Sequence, residues 1–152
     1  MGEQSPIFFT LMWYKNITTN KEGTINSILV VNAISLNMIA SSVLKGLISF
    51  AKMTAADAAE WLRNNSFRRA LGHADVCAIA SKELGVELAF NRESVKLEAK
   101  LDRLLVVQYE GPRLAEGCAT LPEGAKIRYF AVVVWDPENV PDLVLNEDAK
   151  SW

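Results

Sequence analysis

A single histidine, His73, is the only side chain of the 152-residue chain whose ordinary pKa lies near neutrality. It follows Leu71 and Gly72 directly, at the predicted start of a helix. A helix N-terminus presents free backbone amides and a partial positive charge, so it attracts phosphate. An imidazole at that point would stand beside a bound phosphate and could donate a proton to its leaving group. The plainer interpretation is a polar residue at a helix start with no further role.

Arg113 and Glu116 form a second candidate pair, in a segment whose proline and glycines indicate a shaped loop (112–117). The guanidinium of an arginine offers a rigid fork of N–H donors to a phosphate. A carboxylate can orient a hydroxyl group or take its proton. A surface salt bridge is the plainer interpretation of such a pair. Asn91 and Arg92 form a further polar corner before the next predicted strand. The plainer interpretation of this pair is a turn.

Three polar residues, Asn32, Ser35 and Asn37, lie in the predicted loop after the first strand. They could hydrogen-bond a ligand, or they could satisfy the backbone of their own loop. None of these signals is specific alone. The sequence contains no P-loop, dinucleotide fingerprint, kinase signature or hydrolase elbow.

The composition excludes several classes of function. The chain has 16 basic and 18 acidic residues, so a broad basic face that coats duplex DNA is not expected. One histidine and two cysteines cannot build a Cys/His zinc cage within one chain, and we expect no metal or cofactor. No apolar run approaches the ~20 residues of a membrane span, and no secretory signal is recognisable. We therefore predict a soluble, cytoplasmic protein with reduced thiols.

Two helices are predicted in the middle of the chain. Thr54 can cap the first, with Asp57 three residues later, and an apolar face follows before Asn64 and Asn65 end the helix. The second runs from about His73 to Leu84, with apolar residues at helical spacing and Gly85 at the position typical of a helix C-terminus.

Strands are predicted on either side of these helices. The β-branched run 28–31 indicates a buried strand, and 127–135 indicates a strand in the centre of a sheet. Apolar and polar residues alternate over 95–101, which predicts a half-buried strand that turns at Asp102 and Arg103 into a hairpin partner, 104–109. The predicted class is α+β: a compact domain over 28–135 with a mixed sheet and two helices packed on it. Residues 1–27 are predicted to form an N-terminal extension and 136–152 an acidic tail.

Five short motifs occur in a characteristic order along this predicted domain. They are Asn-Ala-Ile-Ser-Leu-Asn-Met (32–38), Gly-His (72–73) opening a helix that ends in Leu-Gly (84–85), Asn-Arg (91–92), Val-Val-Gln (106–108) and Arg-Leu-Ala-Glu-Gly (113–117). Together with the closing aliphatic strand, they resemble the viral ring nucleases that act as type III anti-CRISPR proteins, which have relatives in bacteria and prophages. The resemblance covers about residues 28–135.

The resemblance implies a homodimeric α+β subunit that binds cyclic tetra-adenylate, the second messenger of type III CRISPR complexes, across its dimer interface. It implies metal-independent cleavage to linear di-adenylate ending in a cyclic phosphate. His73 would be the general acid for the departing 5′ oxygen, and Arg113 and Glu116 would assist at the scissile phosphate. The residues implied to hold the ring are Asn32, Ser35, Asn37, Arg92 and Gln108. A second Glu-Gly pair begins at Glu123, but Thr120 stands where the arginine would be, which favours Glu116.

This chemistry suits a chain with one histidine, because a ribose 2′-hydroxyl can attack its own 3′ phosphate without a metal or a protein nucleophile. The protein has only to align the ring, stabilise charge on the phosphorus oxygens and protonate the leaving group. Two alternatives stay open. One is a sponge of the same fold that sequesters a cyclic nucleotide without cutting it. The other is a viral protein-interaction module that uses the apolar residues 7–14 for docking.

Overall fold

A computed structural model describes residues 27–118 and 120–139 of the chain. Five strands form one mixed sheet in the order β2-β5-β4-β1-β3. Their bounds are β1 (Ile28–Val31), β2 (Leu47–Met53), β3 (Phe67–Ala70), β4 (Asp102–Glu110) and β5 (Lys126–Trp135). Strand β1 runs parallel to both β3 and β4, and β5 runs antiparallel to β2 and β4. The carboxyl ends of β3, β1 and β4 therefore meet at one edge, where ligands of parallel sheets commonly bind.

Two helices cover one face of the sheet, so the predicted α+β class is confirmed. Thr54 caps the N-terminus of helix α1 (Ala55–Arg63), and its hydroxyl accepts from the backbone N–H of Asp57 at 3.1 Å. Helix α2 (Ala74–Leu84) ends at Gly85, which is left-handed with φ 67°. Both helices have the predicted ends, because these caps are local signals that need no tertiary contact. Their apolar side chains pack on Val30, Leu105, Val107, Tyr129 and Val133, which are all buried.

Two extended segments, rather than helices, cover part of the opposite face. The chain after β1 and the chain before β4 meet there in an isolated parallel bridge between Ile39 and Leu97. The backbone N–H of Ala40 donates to the carbonyl of Leu97 at 2.9 Å. Apolar side chains of these segments bury Leu29, Val31, Leu104, Val106, Val132 and Val134. The sheet is therefore covered by helices on one side and partly by extended loops on the other.

The predicted strand over 95–101 and its hairpin with 104–109 are wrong. Asp102 begins β4 instead of making a turn, and the hairpin partner of β4 is β5. The carboxylate of Asp102 accepts from the backbone N–H of Ala99 at 2.7 Å, and Ala99 and Leu101 have φ values of 57° and 68°. This left-handed backbone bends the chain away from a ladder. Burial raises the pKa of Asp102, while its backbone hydrogen bonds oppose that rise. The alternation over 95–101 reflects burial of one side of a loop against the sheet.

The interior strands of the sheet were predicted from the sequence, whereas the edge strands were not. Strand β1 is buried along its whole length, and β5 lies between β2 and β4, as predicted. The edge strands β2 and β3 were not predicted. Strand β3 has only four residues, two of which are Arg68 and Arg69, and most side chains of β2 are not buried. Edge strands bury little apolar surface, so their sequences carry a weak period-two signal.

None of the helices within 27–118 and 120–139 is long and apolar enough to cross a membrane. The predicted N-terminal extension, apart from Ser27, and the predicted tail beyond residue 139 lie outside the described residues. The proposed docking segment 7–14 lies there too. The boundaries of the three predicted regions stay predictions.

Candidate functional site

His73 occupies the N-cap position of α2, three residues after the end of β3, at the sheet edge where the parallel strands finish. Its backbone is extended, with φ −125° and ψ 99°, and its carbonyl accepts from the backbone N–H of Cys77 at 3.0 Å. The imidazole does not cap the helix, and the side chain is exposed. The predicted placement at a helix start is confirmed. The ring and the first amides of α2 are therefore available together to an anion.

A pocket of about 380 Å³ lies beside His73, at the ends of β1 and β3. The loop after β1 contributes Asn32 and Asn37, and the segment before β4 contributes Glu93 and Lys96. The ammonium group of Lys96 donates to the carbonyl of Asn37 at 3.4 Å, so the two walls are connected. The pocket thus combines one imidazole, one lysine, one carboxylate and amide groups. Because Glu93 is engaged by Asn91 at 3.0 Å and by Arg68 at 3.9 Å, the lysine and the amides suit an anionic, hydrogen-bonding ligand.

Asn32 uses its side-chain amide inside the protein. Its Oδ1 accepts from the backbone N–H of Gly72 at 2.9 Å, and its Nδ2 donates to the carbonyl of Val107 at 3.3 Å. The side chain is half-buried and lines the pocket. It therefore joins the residue before His73 to strand β4.

Ser35 and Asn37 lie in a short 3-10 turn, Leu36–Met38, that follows β1. The Ser35 hydroxyl accepts from the backbone N–H of Asn37 at 3.2 Å, so it caps this turn. Ser35 does not line the pocket, whereas Asn37 does. The Ser35 contact agrees with the interpretation that these residues satisfy their own loop. Asn37 lines the pocket, so it is near the space that a ligand would occupy.

Arg92 lies next to the turn that carries His73. Its Nε is 4.0 Å from where a Cβ on Gly72 would be. The neighbouring Asn91 fixes this corner, because its backbone N–H donates to the carbonyl of Leu71 at 3.0 Å and its side chain donates to the carbonyl of Arg69 at 2.6 Å. The polar corner is thus an irregular segment attached to the end of β3, and it brings a guanidinium close to the pocket.

The loop with Arg113 and Glu116 reaches the same helix by another contact. The backbone N–H of Gly117 donates to Oδ1 of Asp75, in the first turn of α2, at 3.3 Å. Arg113 and Glu116 are both exposed, and neither lines the pocket. The structure therefore brings this loop to the helix that His73 caps, but it does not place the two side chains in the pocket.

The start of this loop depends on Gly111. Its φ is 155°, and a Cβ there would be 2.6 Å from the Cβ of Ala125. A glycine is needed because this backbone conformation and this approach both exclude a side chain. The hydroxyl of Tyr109 donates to the carbonyl of Pro112 and fixes the next step of the chain.

Gln108 lies on β4 opposite Arg128 of β5. Its Oε1 accepts from the Arg128 guanidinium at 3.0 Å, and the same guanidinium pairs with Glu110 at 3.0 Å and lies 5.5 Å from the ring centre of Phe130. Because its oxygen is engaged, the group that Gln108 can offer a ligand is its NH₂. Sequence reasoning missed Arg128, since only the strand register reveals this pairing. It also missed Glu93 and Lys96, which belonged to a stretch interpreted as turn and strand.

No group of three or more histidine, cysteine, aspartate or glutamate side chains that could hold a metal ion occurs in the described part of the chain. Cys77 and Cys118 are free thiols, and burial raises the pKa of Cys77.

Comparisons with known proteins place these observations in a family. A model of the protein family described as STIV B116-like matches residues 28–130. Among solved structures, B116 of Sulfolobus turreted icosahedral virus (STIV) superposes with a TM-score of 0.57 and 24% sequence identity, covering 73% of this chain and 100% of that chain. That structural similarity supports the fold. A search of curated proteins found no match.

Proposed function

The chain belongs to the STIV B116-like family, and on that premise we propose that it is a metal-independent ring nuclease. Its substrate would be cyclic tetra-adenylate, which it would cut into linear di-adenylate with a 2′,3′-cyclic phosphate. Removal of this messenger would block type III CRISPR signalling in the cytoplasm of an infected cell. The protein would thus act as an anti-CRISPR enzyme.

One observation carries the proposal: His73 stands at the N-terminus of α2 and lines a pocket whose other polar residues are two asparagines, a serine, a lysine and one glutamate, Glu93. The Glu93 carboxylate is engaged by the side chain of Asn91, which donates to it at 3.0 Å. A helix N-terminus favours a phosphate group, and an adjacent imidazole is in reach to protonate the oxygen that leaves that phosphate. A cyclic oligonucleotide has phosphates as its charged groups and bases as its hydrogen-bonding groups. The pocket offers partners of both kinds.

The proposed reaction is an internal transesterification at one phosphate of the ring. The ribose 2′ oxygen forms a bond to phosphorus, and the bond from phosphorus to the 5′ oxygen of the next nucleotide breaks. Protonated His73 gives its proton to that 5′ oxygen. Arg113 would stabilise charge on the non-bridging oxygens, and Glu116 would orient the 2′-hydroxyl and accept its proton. Repetition at the opposite phosphate releases two di-adenylates.

Four further residues would hold the ring: Ser35, Asn37, Arg92 and Gln108. Asn37 lines the pocket, and Arg92 lies beside Gly72. Gln108 would donate from its NH₂, because its oxygen is engaged by Arg128.

Homodimerisation belongs to the proposal because a two-fold ring needs two equivalent His73 residues. Two apolar side chains of β2 support it. Ile48 and Phe50 are 47% and 68% exposed on the sheet face opposite the helices, where apolar surface favours a protein contact. Sedimentation of the wild type should give a dimer, and Phe50→Lys should shift it toward monomer. A monomeric wild type would contradict this part of the proposal.

The decisive experiment is incubation of the protein with cyclic oligoadenylates of several ring sizes in the presence of a chelator, followed by product analysis. We expect conversion of the four-membered ring, and His73→Ala should slow it by on the order of 10²–10⁴-fold. Persistence of the ring, or unchanged cleavage by His73→Ala, would overturn the catalytic assignment. Glu116→Ala and Glu123→Ala form a matched pair, because both glutamates are exposed and precede a glycine. Only the first substitution should reduce cleavage.

A non-catalytic sponge is the second candidate. The absence of Arg113 and Glu116 from the lining of the pocket favours it, because a pocket can bind a ring without them. Denaturation of the isolated complex distinguishes the two functions. Recovery of intact ring indicates a sponge, and recovery of di-adenylate indicates the nuclease.

A further inference from the structure

We infer that Asn32 is a positioning residue that holds His73 in place, rather than a residue that binds the substrate ring. The contribution to catalysis rests on the proposed function, whereas the structural contribution does not. The assignment departs from the role that the family resemblance implies for Asn32. The inference rests on the hydrogen-bond partners of Oδ1 and Nδ2, the two polar atoms of the Asn32 side chain.

The position of Asn32 follows from the strand register. Val31 is the last residue of β1 and pairs with Ala70 of β3 on one side and with Val106 of β4 on the other. Asn32 is the next residue, so it enters the gap between two chains that both continue beyond β1. Its half-buried side chain spans this gap.

The side-chain amide then replaces the peptide group that a longer β1 would supply. Oδ1 accepts from the backbone N–H of Gly72 at 2.9 Å, and Nδ2 donates to the carbonyl of Val107 at 3.3 Å. A buried backbone group without a partner is unfavourable, and a planar amide satisfies a donor on one side and an acceptor on the other. The hydrogen-bond pattern of the sheet is thereby extended by one residue.

This bridge controls His73 because Gly72 is its immediate neighbour. The backbone at Gly72 carries the chain from β3 into α2, and a glycine there has no side chain of its own to restrict it. Asn32 supplies that restriction from another strand. Loss of the bridge would leave the imidazole present but less well placed, and a misplacement of about 1 Å can cost on the order of 10²-fold in rate.

The test compares Asn32→Ala with Asn32→Asp, which retains the acceptor for the Gly72 N–H and loses the donor to Val107. Amide hydrogen exchange at Gly72 reports the bridge directly. Single-turnover cleavage of cyclic tetra-adenylate reports the rate, and its affinity is measured in the His73→Ala background, where the ring persists. Asn65→Ala is the matched control, because Asn65 also donates to a backbone carbonyl, that of Trp61, and accepts from the Arg103 side chain near the opposite end of β1.

We expect Asn32→Ala to speed exchange at Gly72 and to lower the cleavage rate by on the order of 10²-fold while the affinity changes little. Asn32→Asp should restore protection at Gly72 and part of the rate, and Asn65→Ala should change neither. A parallel loss of affinity and rate would show that Asn32 binds the ring and would overturn the inference. Unchanged exchange at Gly72 would overturn it as well. If the wild type does not cleave the ring, the proposed function fails, and the exchange measurement still decides whether Asn32 holds Gly72.

Discussion

Oδ1 of Asp75 accepts a hydrogen bond from the backbone N–H of Gly117 at 3.3 Å, which attaches the loop 113–118 to the first turn of α2. His73 caps the same helix two residues earlier. The helix start therefore contacts two segments, the turn from β3 and the loop from β4.

Asp75→Ala should reduce ring cleavage, because it releases the loop that carries Arg113 and Glu116. A hydrogen bond to a charged group is worth roughly 1.5–3 kcal/mol, so the rate should fall about tenfold or more. Asp75→Asn retains the oxygen that accepts from Gly117 and should keep most of the activity. Equal activity of the two variants, measured in single-turnover reactions, would contradict a role for this contact.

Gly111→Ala should destabilise the protein, because the new Cβ would lie 2.6 Å from the Cβ of Ala125 at a φ of 155°. Overpacking of this kind costs roughly 1–3 kcal/mol, and denaturant unfolding measures it. Gly124→Ala is the control, since Gly124 also has a positive φ, 79°, but no atom lies within 4 Å of the added carbon. That substitution should cost only the backbone strain, about 1–2 kcal/mol. A larger loss for Gly124→Ala than for Gly111→Ala would be inconsistent with this account.

The hydroxyl of Tyr129 donates to Oε1 of Glu83 at 2.6 Å. Burial, and secondly this hydrogen bond, raise the pKa of Tyr129 well above its ordinary value. Because the folded protein keeps this proton when the unfolded chain loses it, the free energy of unfolding should fall as the pH rises above about 10. Below that pH this contribution is fully present.

Tyr129→Phe should reduce the loss of stability at alkaline pH, because the titrating hydroxyl is gone. At neutral pH it should lower the free energy of unfolding by about 1 kcal/mol through the lost hydrogen bond. Tyr109→Phe serves as the control, because Tyr109 donates to a carbonyl, that of Pro112, rather than to a carboxylate. Unfolding curves between neutral and alkaline pH test both variants. The same alkaline dependence in Tyr129→Phe and in the wild type would refute the assignment.

Arg128→Leu should weaken ring binding, because it releases the oxygen of Gln108 and lets the amide rotate. Since one hydrogen bond is worth roughly 0.5–1.5 kcal/mol, affinity should fall about two- to tenfold. Lys126→Ala is the control, because Lys126 also pairs with Glu110, at 3.9 Å, but has no hydrogen bond to Gln108 in the described structure. Calorimetric titration should show a change for Arg128→Leu alone.

Sequence reasoning was most successful where the signal was local. The ends of α1 and α2 were recognised from Thr54 and Gly85, and the buried strand β1 from its four β-branched and aliphatic residues. It failed at 95–101, because an alternating pattern records which side chains are buried and does not reveal whether the backbone pairs with another strand. The arginine-rich strand β3 was missed for the complementary reason: its pairing with β1 comes from the fold and not from its own pattern.

The candidate site shows the same division. The position of His73 at a helix start follows from its neighbours in sequence, so it was predictable. The bridge from Asn32 to Gly72 and Val107, and the pairing of Gln108 with Arg128, both depend on strand register. No spacing rule along a single sequence specifies that register.

The parallel placement of β1 has a consequence for how the protein folds. Ile28 pairs with Phe67 and with Arg103, and it has no strand partner nearby in sequence. Long-range pairings of this kind slow folding, because the intervening chain must be ordered before they form. During synthesis, β1 has no strand partner until β3 has emerged, and its second partner, β4, emerges later. A chain that ends before β4 would therefore contain His73 and all the residues that line the pocket, but it would lack the strand that pairs with β1 on one side.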